Sequence, residues 1–247
     1  MECDVVFTAK EVTAALVLEK NVVVIDVLRA TSTMLTALFN GCTAIIPVKE
    51  PEEGKKLLEE KLLTRGEARE NYVLGGERGG VLIPGYDLGN SPLEYTYSAI
   101  GQKKLIFCTT NGTLAISRAA QAKNLYLGAL LNAGALAATL KKKGDPIIFA
   151  CAGTRGHYTL EDVLAAGLIM HELKNQTENV ALSDKALTSL VLYRYYENDL
   201  AKAVNFSKHA KVLTALGFTK DVAYCSQKNL FDLVPAYKQG EIRLGEM

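Results

Sequence analysis

No charge of one sign dominates this 247-residue chain: 28 Lys and Arg face 27 Asp and Glu, for a formal net charge of +1. There is no global field to draw in nucleic acid or an anionic membrane, so any attraction for an anionic ligand must be local. No apolar run approaches the ~18 residues that span a bilayer. The cysteines Cys3, Cys42, Cys108, Cys151 and Cys225 are odd in number and form no CxxC pair. That argues against a disulfide framework or a zinc ribbon and for a reducing compartment. The opening residues MECDVVFTAKE carry early acids and lack the apolar core of a secretory leader. The expectation is a cytoplasmic protein without nucleic-acid or membrane partners. A composition of 49% hydrophobic and 22% charged residues is that of an ordinary globular protein. The length suits one α/β unit over 1–247, or two closely packed subdomains sharing a cleft, with no boundary to be read.

Several catalytic signatures are also missing. There is no GxGxxG for a dinucleotide, no GxxxxGK for a nucleotide phosphate and no GxSxG elbow. No Cys is followed six positions on by Arg, and Asp26 has Leu28 two residues on rather than a second Asp. With three histidines and no HExxH, a zinc or iron site is disfavoured.

What is present is an alternation. Val22–Ile25 is continuously apolar and β-branched, as a strand buried on both faces should be. Similar runs follow at 44–46, 104–107, 125–127 and 147–150. Helix-like stretches lie between them at Thr31–Phe39, Pro51–Leu63, Thr113–Ala122, Ala133–Lys143 and Leu160–Leu173. The alternation predicts α/β with a largely parallel sheet flanked by helices. Residues 183–216 read as mostly helical, Val222–Cys225 as a short strand and Asn229–Pro235 as a closing segment. Gly75–Pro92, rich in glycine and proline, reads as a long loop of the kind that is usually functional or disordered.

Three segments share one plan of strand, polar turn and helix: VVVIDVLRATSTMLTAL, KLIFCTTNGTLAISRAA and PIIFACAGTRGHYTLEDVLAAG. Ligands of open α/β sheets bind beyond the carboxyl ends of strands, where all three turns fall. In the first turn Asp26 suits a metal, Arg29 a phosphate fork, and Thr31 or Ser32 a helix cap. A structural Asp–Arg pair with an ordinary cap would use the same residues. The second turn offers Thr110, Asn111 and Gly112 as donors to an oxyanion. The third offers Cys151, Arg155 and the adjacent acids Glu161 and Asp162, as ligands, as a base for water, or merely as helix-dipole partners. In the glycine-rich stretch, Glu77 suits a metal and Arg78 a second anion. Asn90-Ser91-Pro92 reads as a turn or cap entering a helix.

If the chemistry is phosphate-ester hydrolysis, magnitudes restrict the means. Enhancements for that reaction reach ~10²¹, which approaches roughly 28 kcal/mol. A helix N-terminus offers ~0.3–1 kcal/mol at a surface and up to ~2 when partly buried. A divalent ion and buried arginines are then needed, and Asp and Glu oxygens suit Mg²⁺.

In this order, VVVIDVLRATST, GGERGG, PGYDLGNSPLEY, TTNGT, LLNAGALA, CAGTRGHYTLEDVLAAG and the Asn229–Pro235 region resemble the 2-phosphosulfolactate phosphatase family. The resemblance implies an α/β fold with a cleft site and Mg²⁺-dependent hydrolysis of 2-phospho-3-sulfolactate to 3-sulfolactate, a step toward coenzyme M. It implies Asp26, Arg29, Ser32, Cys151, Glu161 and Asp162 as catalytic residues, with Asp26 and Glu77 on the metal. It implies Arg78, Asn90, Ser91, Thr110 and Asn111 as substrate-binding residues, to which the reading of the turns adds Gly112 and Arg155. Leu114 departs from the pattern, standing where a basic residue is expected; if that residue holds the sulfonate, the substrate differs. Water is expected to attack directly, with Cys151, Ser32 and Asp26 as the alternatives that would form a phosphoenzyme. A lyase or isomerase acting on a similar acid, and a non-catalytic anion-binding module, are the competing readings. A homodimer is the base-rate expectation.

Overall fold

The computed structural model describes residues 1–245. Its strands are β1 (Glu2–Val6), β2 (Asn21–Ile25), β3 (Ala44–Val48), β4 (Tyr72–Arg78), β5 (Val81–Leu82), β6 (Lys104–Cys108), β7 (Asn124–Gly128), β8 (Ile147–Cys151), β9 (Ala181–Leu182), β10 (Pro235–Lys238) and β11 (Glu241–Leu244). Its helices are α1 (Ala14–Val17), α2 (Ala30–Phe39), α3 (Pro51–Arg65), α4 (Tyr97–Ile100), α5 (Gly112–Ala119), α6 (Ala133–Lys143), α7 (Leu160–Gln176), α8 (Asp184–Tyr196), α9 (Leu200–Phe206), α10 (Lys208–Ala215) and α11 (Thr219–Cys225). No helix among the described residues is long and apolar enough to cross a membrane.

The strands run in the order β5-β4-β6-β3-β11-β10-β7-β2-β8-β1-β9. Two parallel groups, β4-β6-β3 and β7-β2-β8-β1-β9, are joined through the antiparallel hairpin β10–β11. The register sets the site. Ile25 pairs with both Gly128 and Cys151, so the turns after β2, β7 and β8 emerge at one level. Gly76 pairs with Cys108, which brings Glu77 level with the turn after β6.

The continuous apolar character of β2 has its cause in two cores. Val23 and Ile25 pack on one face with Leu136, Leu140, Leu164 and Leu168 of α6 and α7. Val22 and Val24 pack on the other with Met34 of α2 and Ala115 and Ile116 of α5. A third cluster sets Leu58 of α3 against Tyr72, Leu74 and Ile106. α3 starts where the sequence suggests: Pro51 opens it, and the Glu53 carboxylate accepts the Lys49 N–H at 3.0 Å.

Two expectations are corrected. Val222–Cys225 is not a strand but the end of α11, because the apolar residues Val222 and Cys225 recur three apart on its buried side. The stretch from Gly75 is not all loop, since β4 runs through Arg78. Its next part is tied back along the same strand, with Leu88 N–H donating to the Leu74 carbonyl at 3.1 Å and Gly76 N–H to the Leu88 carbonyl at 3.0 Å. At Gly76, with φ +145°, a Cβ would run into the Cys108 backbone, so the glycines of GGER permit strand packing as well as turning. The 183–216 region is helical as expected, in α8, α9 and α10.

Candidate active site

The carboxyl ends of β2, β4, β6 and β8 open onto a cavity of about 610 Å³, walled on a further side by α10. Asp26, Arg29, Glu77, Arg78, Asn90, Thr110, Asn111 and Arg155, gathered from five separate stretches of the chain, all line it.

Asp26 ends β2 and is only 8% exposed. Its Oδ1 accepts the Ala30 N–H at 3.2 Å, and its carbonyl accepts the Thr31 N–H and hydroxyl, both at 2.9 Å. Thr31 thus makes the turn while α2 begins. Gly112 has to be glycine because a Cβ there would lie 2.6 Å from Ala30 Cβ and 2.9 Å from Asp26 Oδ2. Burial, reinforced by Asp162, Glu77 and Glu161, pushes the Asp26 carboxyl well above the usual carboxylate range.

Glu77 joins two loops. Its Oε1 accepts the Thr110 N–H and its Oε2 the Gly80 N–H, both at 2.7 Å. Asp162 does the same behind the cavity: Oδ1 accepts the Val27 N–H at 2.9 Å and Oδ2 the Gly153 N–H at 3.1 Å. Burial raises Asp162 to about 6 and Glu161, through burial and then Asp162, to about 8. Glu161 Oε2 is buried without a hydrogen-bond partner, as is Asn90 Oδ1.

The arginines differ in freedom. Arg29, 2% exposed, donates from Nη1 to Asp221 Oδ2 and from Nη2 to the Gly80 carbonyl, both at 2.7 Å. Arg78 is half-buried against the Glu77 and Lys49 carbonyls and Cys108 Sγ, and its Nη2 pairs with Glu50 Oε2 at 3.4 Å. Arg155 sits in a two-residue turn closed by hydrogen bonds between Thr154 and His157, with φ +52° at Arg155 and +79° at Gly156. Among the described residues neither Arg155 nor Lys208 forms an ion pair.

The other expected residues stand behind the cavity rather than on it. Ser32 is fully buried in α2 and donates to the Val27 carbonyl at 2.8 Å. Ser91 donates to Asp221 Oδ1 at 2.7 Å. Gly112 packs on Asp26, while Glu161 and Asp162 form a buried layer beneath it. Cys151 closes β8; burial, then the Asp162 charge, pushes its thiol well above its ordinary value, so it is neutral and weakly nucleophilic. Leu114, on α5, does not line the cavity but packs against the core. The turn pairs Arg29 with Asp221, not with Asp26 as the structural alternative would have it.

Sequence reasoning missed Lys208, His209 and Thr159 on the cavity wall, and Asp221 behind it. A signal existed for the first two: Ser207 caps α10, its Oγ accepting the Ala210 N–H at 3.0 Å, so Lys208 and His209 open a helix and are not mid-helix surface residues. Burial lowers the His209 pKa below its ordinary value, against the opposing effect of the Leu28 carbonyl. The imidazole is therefore neutral at pH 7.

The donors fit a hard cation. Asp26 and Glu77 bring carboxylate oxygens to one cavity, Asn90 Oδ1 is buried without a partner, and among the described residues the buried arginine beside them, Arg29, is itself paired with Asp221. Among the described residues no three His, Cys, Asp or Glu side chains form a ready metal cage. Two cavity carboxylates are what Mg²⁺ would need, since it keeps several waters and leans on one or two such groups.

The 2-phosphosulpholactate phosphatase family model matches residues 6–240. The chain belongs to that family. It is 42% identical to a probable 2-phosphosulfolactate phosphatase of Caldanaerobacter subterraneus subsp. tengcongensis over 92% of each chain. It is 39% identical to one of Clostridium novyi, over 98% of this chain and 99% of that one. It is 36% identical to one of Clostridium beijerinckii, over 98% and 99%. Membership places this chain among the phosphatases, a class of hydrolase.

Proposed function

We propose that the chain is a Mg²⁺-dependent phosphatase that hydrolyses 2-phospho-3-sulfolactate, or a similar small anionic 2-phospho acid, to 3-sulfolactate and phosphate. The observation that carries this reading is the cavity itself, where paired oxygen donors at Asp26 and Glu77 face Arg29, Arg78 and Arg155. Such a site separates two tasks. The acids and Asn90 Oδ1 hold the cation, and the arginines with Lys208 hold the anionic groups of the ester, each guanidinium able to fork onto one of them. Bound Mg²⁺ supplies Lewis acidity at the phosphoryl oxygen.

This chain's residues do the rest. Thr110 and Asn111, ahead of α5, donate to phosphate oxygens as charge builds there. Neutral His209 accepts a proton from the attacking water as the P–O(ester) bond breaks, and that proton passes on to the departing alkoxide, which leaves as the hydroxy acid. Attack by water is preferred over a phosphoenzyme because Cys151 is neutral, Ser32 lies outside the cavity, and Asp26 is assigned here to the cation. We propose a cytoplasmic setting and a homodimer on the same grounds of composition and base rate.

The test is phosphate release from racemic 2-phospho-3-sulfolactate, phospholactate and phosphoglycolate, with Mg²⁺ and with EDTA. Mg²⁺-dependent release favouring the sulfonated ester is expected. Release from none of the three would end the proposal. A ³²P-labelled enzyme surviving gel filtration would replace water attack by a phosphoenzyme.

A further inference from the structure

Arg29 is fixed by groups that come from far along the chain. Nη1 meets Asp221 Oδ2 and Nη2 meets the Gly80 carbonyl, each at 2.7 Å, and Cζ lies 4.1 Å from the centre of the Phe218 ring. The second oxygen of Asp221 accepts the Ser91 hydroxyl at 2.7 Å. The side chains of Arg29 and Asp221 are only 2% and 4% exposed. Arg29, Gly80 and Asn90, the neighbour of Ser91, all line the cavity, whereas Asp221 does not. One carboxylate behind the wall therefore ties together the turn after β2, the tip of the β4–β5 hairpin through Arg29, and the Asn90–Ser91 loop.

We infer that Asp221 is a positioning residue for hydrolysis, orienting the Arg29 guanidinium toward the anion and moderating its charge. This rests on reading the cavity as the phosphatase site. Of the five guanidinium N–H groups, two are engaged by Asp221 and Gly80, so three are left for a substrate oxygen. A fork works only if its plane is held, and Asp221, Gly80 and Phe218 hold it from three sides. The negative charge of Asp221 also cancels part of the field that Arg29 presents to the cavity.

The two roles have opposite signatures when Asp221 is neutralised. A loosened fork slows turnover, while a more positive cavity holds anions more tightly. A merely structural ion pair would lower the melting temperature and leave the kinetics of each folded molecule unchanged.

The experiment uses the full chain with Mg²⁺, its best ester substrate and inorganic phosphate as inhibitor, with rates normalised to folded protein. In Asp221→Asn, whose amide oxygen still accepts from Arg29, kcat should fall by about tenfold to a hundredfold. The inhibition constant for phosphate should fall by roughly threefold or more. In Ser91→Ala the ion pair survives, and kcat should fall by about threefold, so this variant decides the matter if Asp221→Asn fails to fold. Asp221→Glu restores the charge but not the geometry, so phosphate inhibition should return to the wild-type value while kcat stays low. Unchanged kcat in Ser91→Ala and in folded Asp221→Asn overturns the inference and leaves the phosphatase reading intact. A wild-type chain that releases phosphate from no ester overturns both.

Discussion

The floor of the cavity and its rim are built on different terms. On the floor Asp26, Glu77 and Asn90 are 8%, 8% and 5% exposed, and backbone N–H groups from two neighbouring loops fix Glu77 while the Ala30 N–H fixes Asp26. On the rim Arg155 and Lys208 are exposed, Tyr158 is 64% exposed, and Val212 is 46% exposed. Floor groups are held where they are needed at the cost of burying repelling charges. Rim groups cost the fold little and are free to meet whatever enters. The comparison teaches that turnover should depend on the floor and affinity on the rim.

The strongest way to break that comparison is Asp26→Asn. Turnover should fall by about a thousandfold or more, since the proposed metal ligand loses its charge. The metal-free protein should nonetheless melt at a higher temperature, because a desolvated carboxylate facing Asp162, Glu77 and Glu161 is neutralised. Paired activity and melting measurements check this, and a variant that loses stability together with activity would contradict it. Glu77→Gln comes next. A side-chain amide replaces one carboxylate oxygen by a donor, so either Thr110 N–H or Gly80 N–H loses its partner. About 1–3 kcal/mol of stability should go, with turnover down by roughly a hundredfold, readable by denaturant melts and initial rates.

Acidity sharpens the same contrast. Glu161 is held up to about 8 in the fold, so the folded protein binds a proton more tightly than the unfolded chain does. The stability this contributes is full below the unfolded carboxyl value of about 4.5 and is lost as pH rises through about 8. Asp162, at about 6, adds a loss of the same sign at lower pH. The metal-free chain should therefore melt at a lower temperature at pH 8 than at pH 5, and Mg²⁺ should restore part of the difference at pH 8. A melting temperature that is flat or rising over that range would show that the acidic layer is already compensated.

Much of the floor was legible in the sequence because it is local. Asp26, Thr110 and Asn111 each follow a buried strand within three residues, and continuous apolar runs mark such strands. Glu77 and Arg78 were legible as residue types, although the strand beneath them was hidden by Gly75 and Gly76, whose purpose is close packing on β6. The β10–β11 hairpin could have been found from Gln239-Gly240, a turn with φ of +53° and +87° between short alternating runs. Asp221 was not legible. Its contact with Arg29 crosses 192 residues, and no local pattern distinguishes it from a surface acid in a short helix. Ser32 shows the converse. Its place beside Thr31 and Thr33 suggests chemistry, but the helical turn carries its hydroxyl inward to the Val27 carbonyl.

On the rim the effects should be smaller and of another kind. Arg155→Ala should raise KM about tenfold and leave kcat within about twofold, because the side chain is proposed to hold the substrate and, among the described residues, makes no contact in the layer that fixes Asp26 and Glu77. The backbone of the turn should survive in this variant, since alanine meets the same positive φ as arginine does. A fall in kcat with KM unchanged would instead move Arg155 from the rim to the reacting centre.

The smallest effect should come from Leu114→Lys, which places a basic residue after TTNGT. If position 114 held a sulfonate, the change would raise preference for the sulfonated ester. Leu114 instead packs beside the core on α5 and does not line the cavity, and a lysine there can run its stem along that surface with the ammonium in water. The ratio of kcat/KM for 2-phospho-3-sulfolactate to that for phospholactate should therefore stay within about twofold of the original, with a stability loss of about 1 kcal/mol. A ratio that rises tenfold would mean that the working cavity extends to α5 and that the rim includes Leu114.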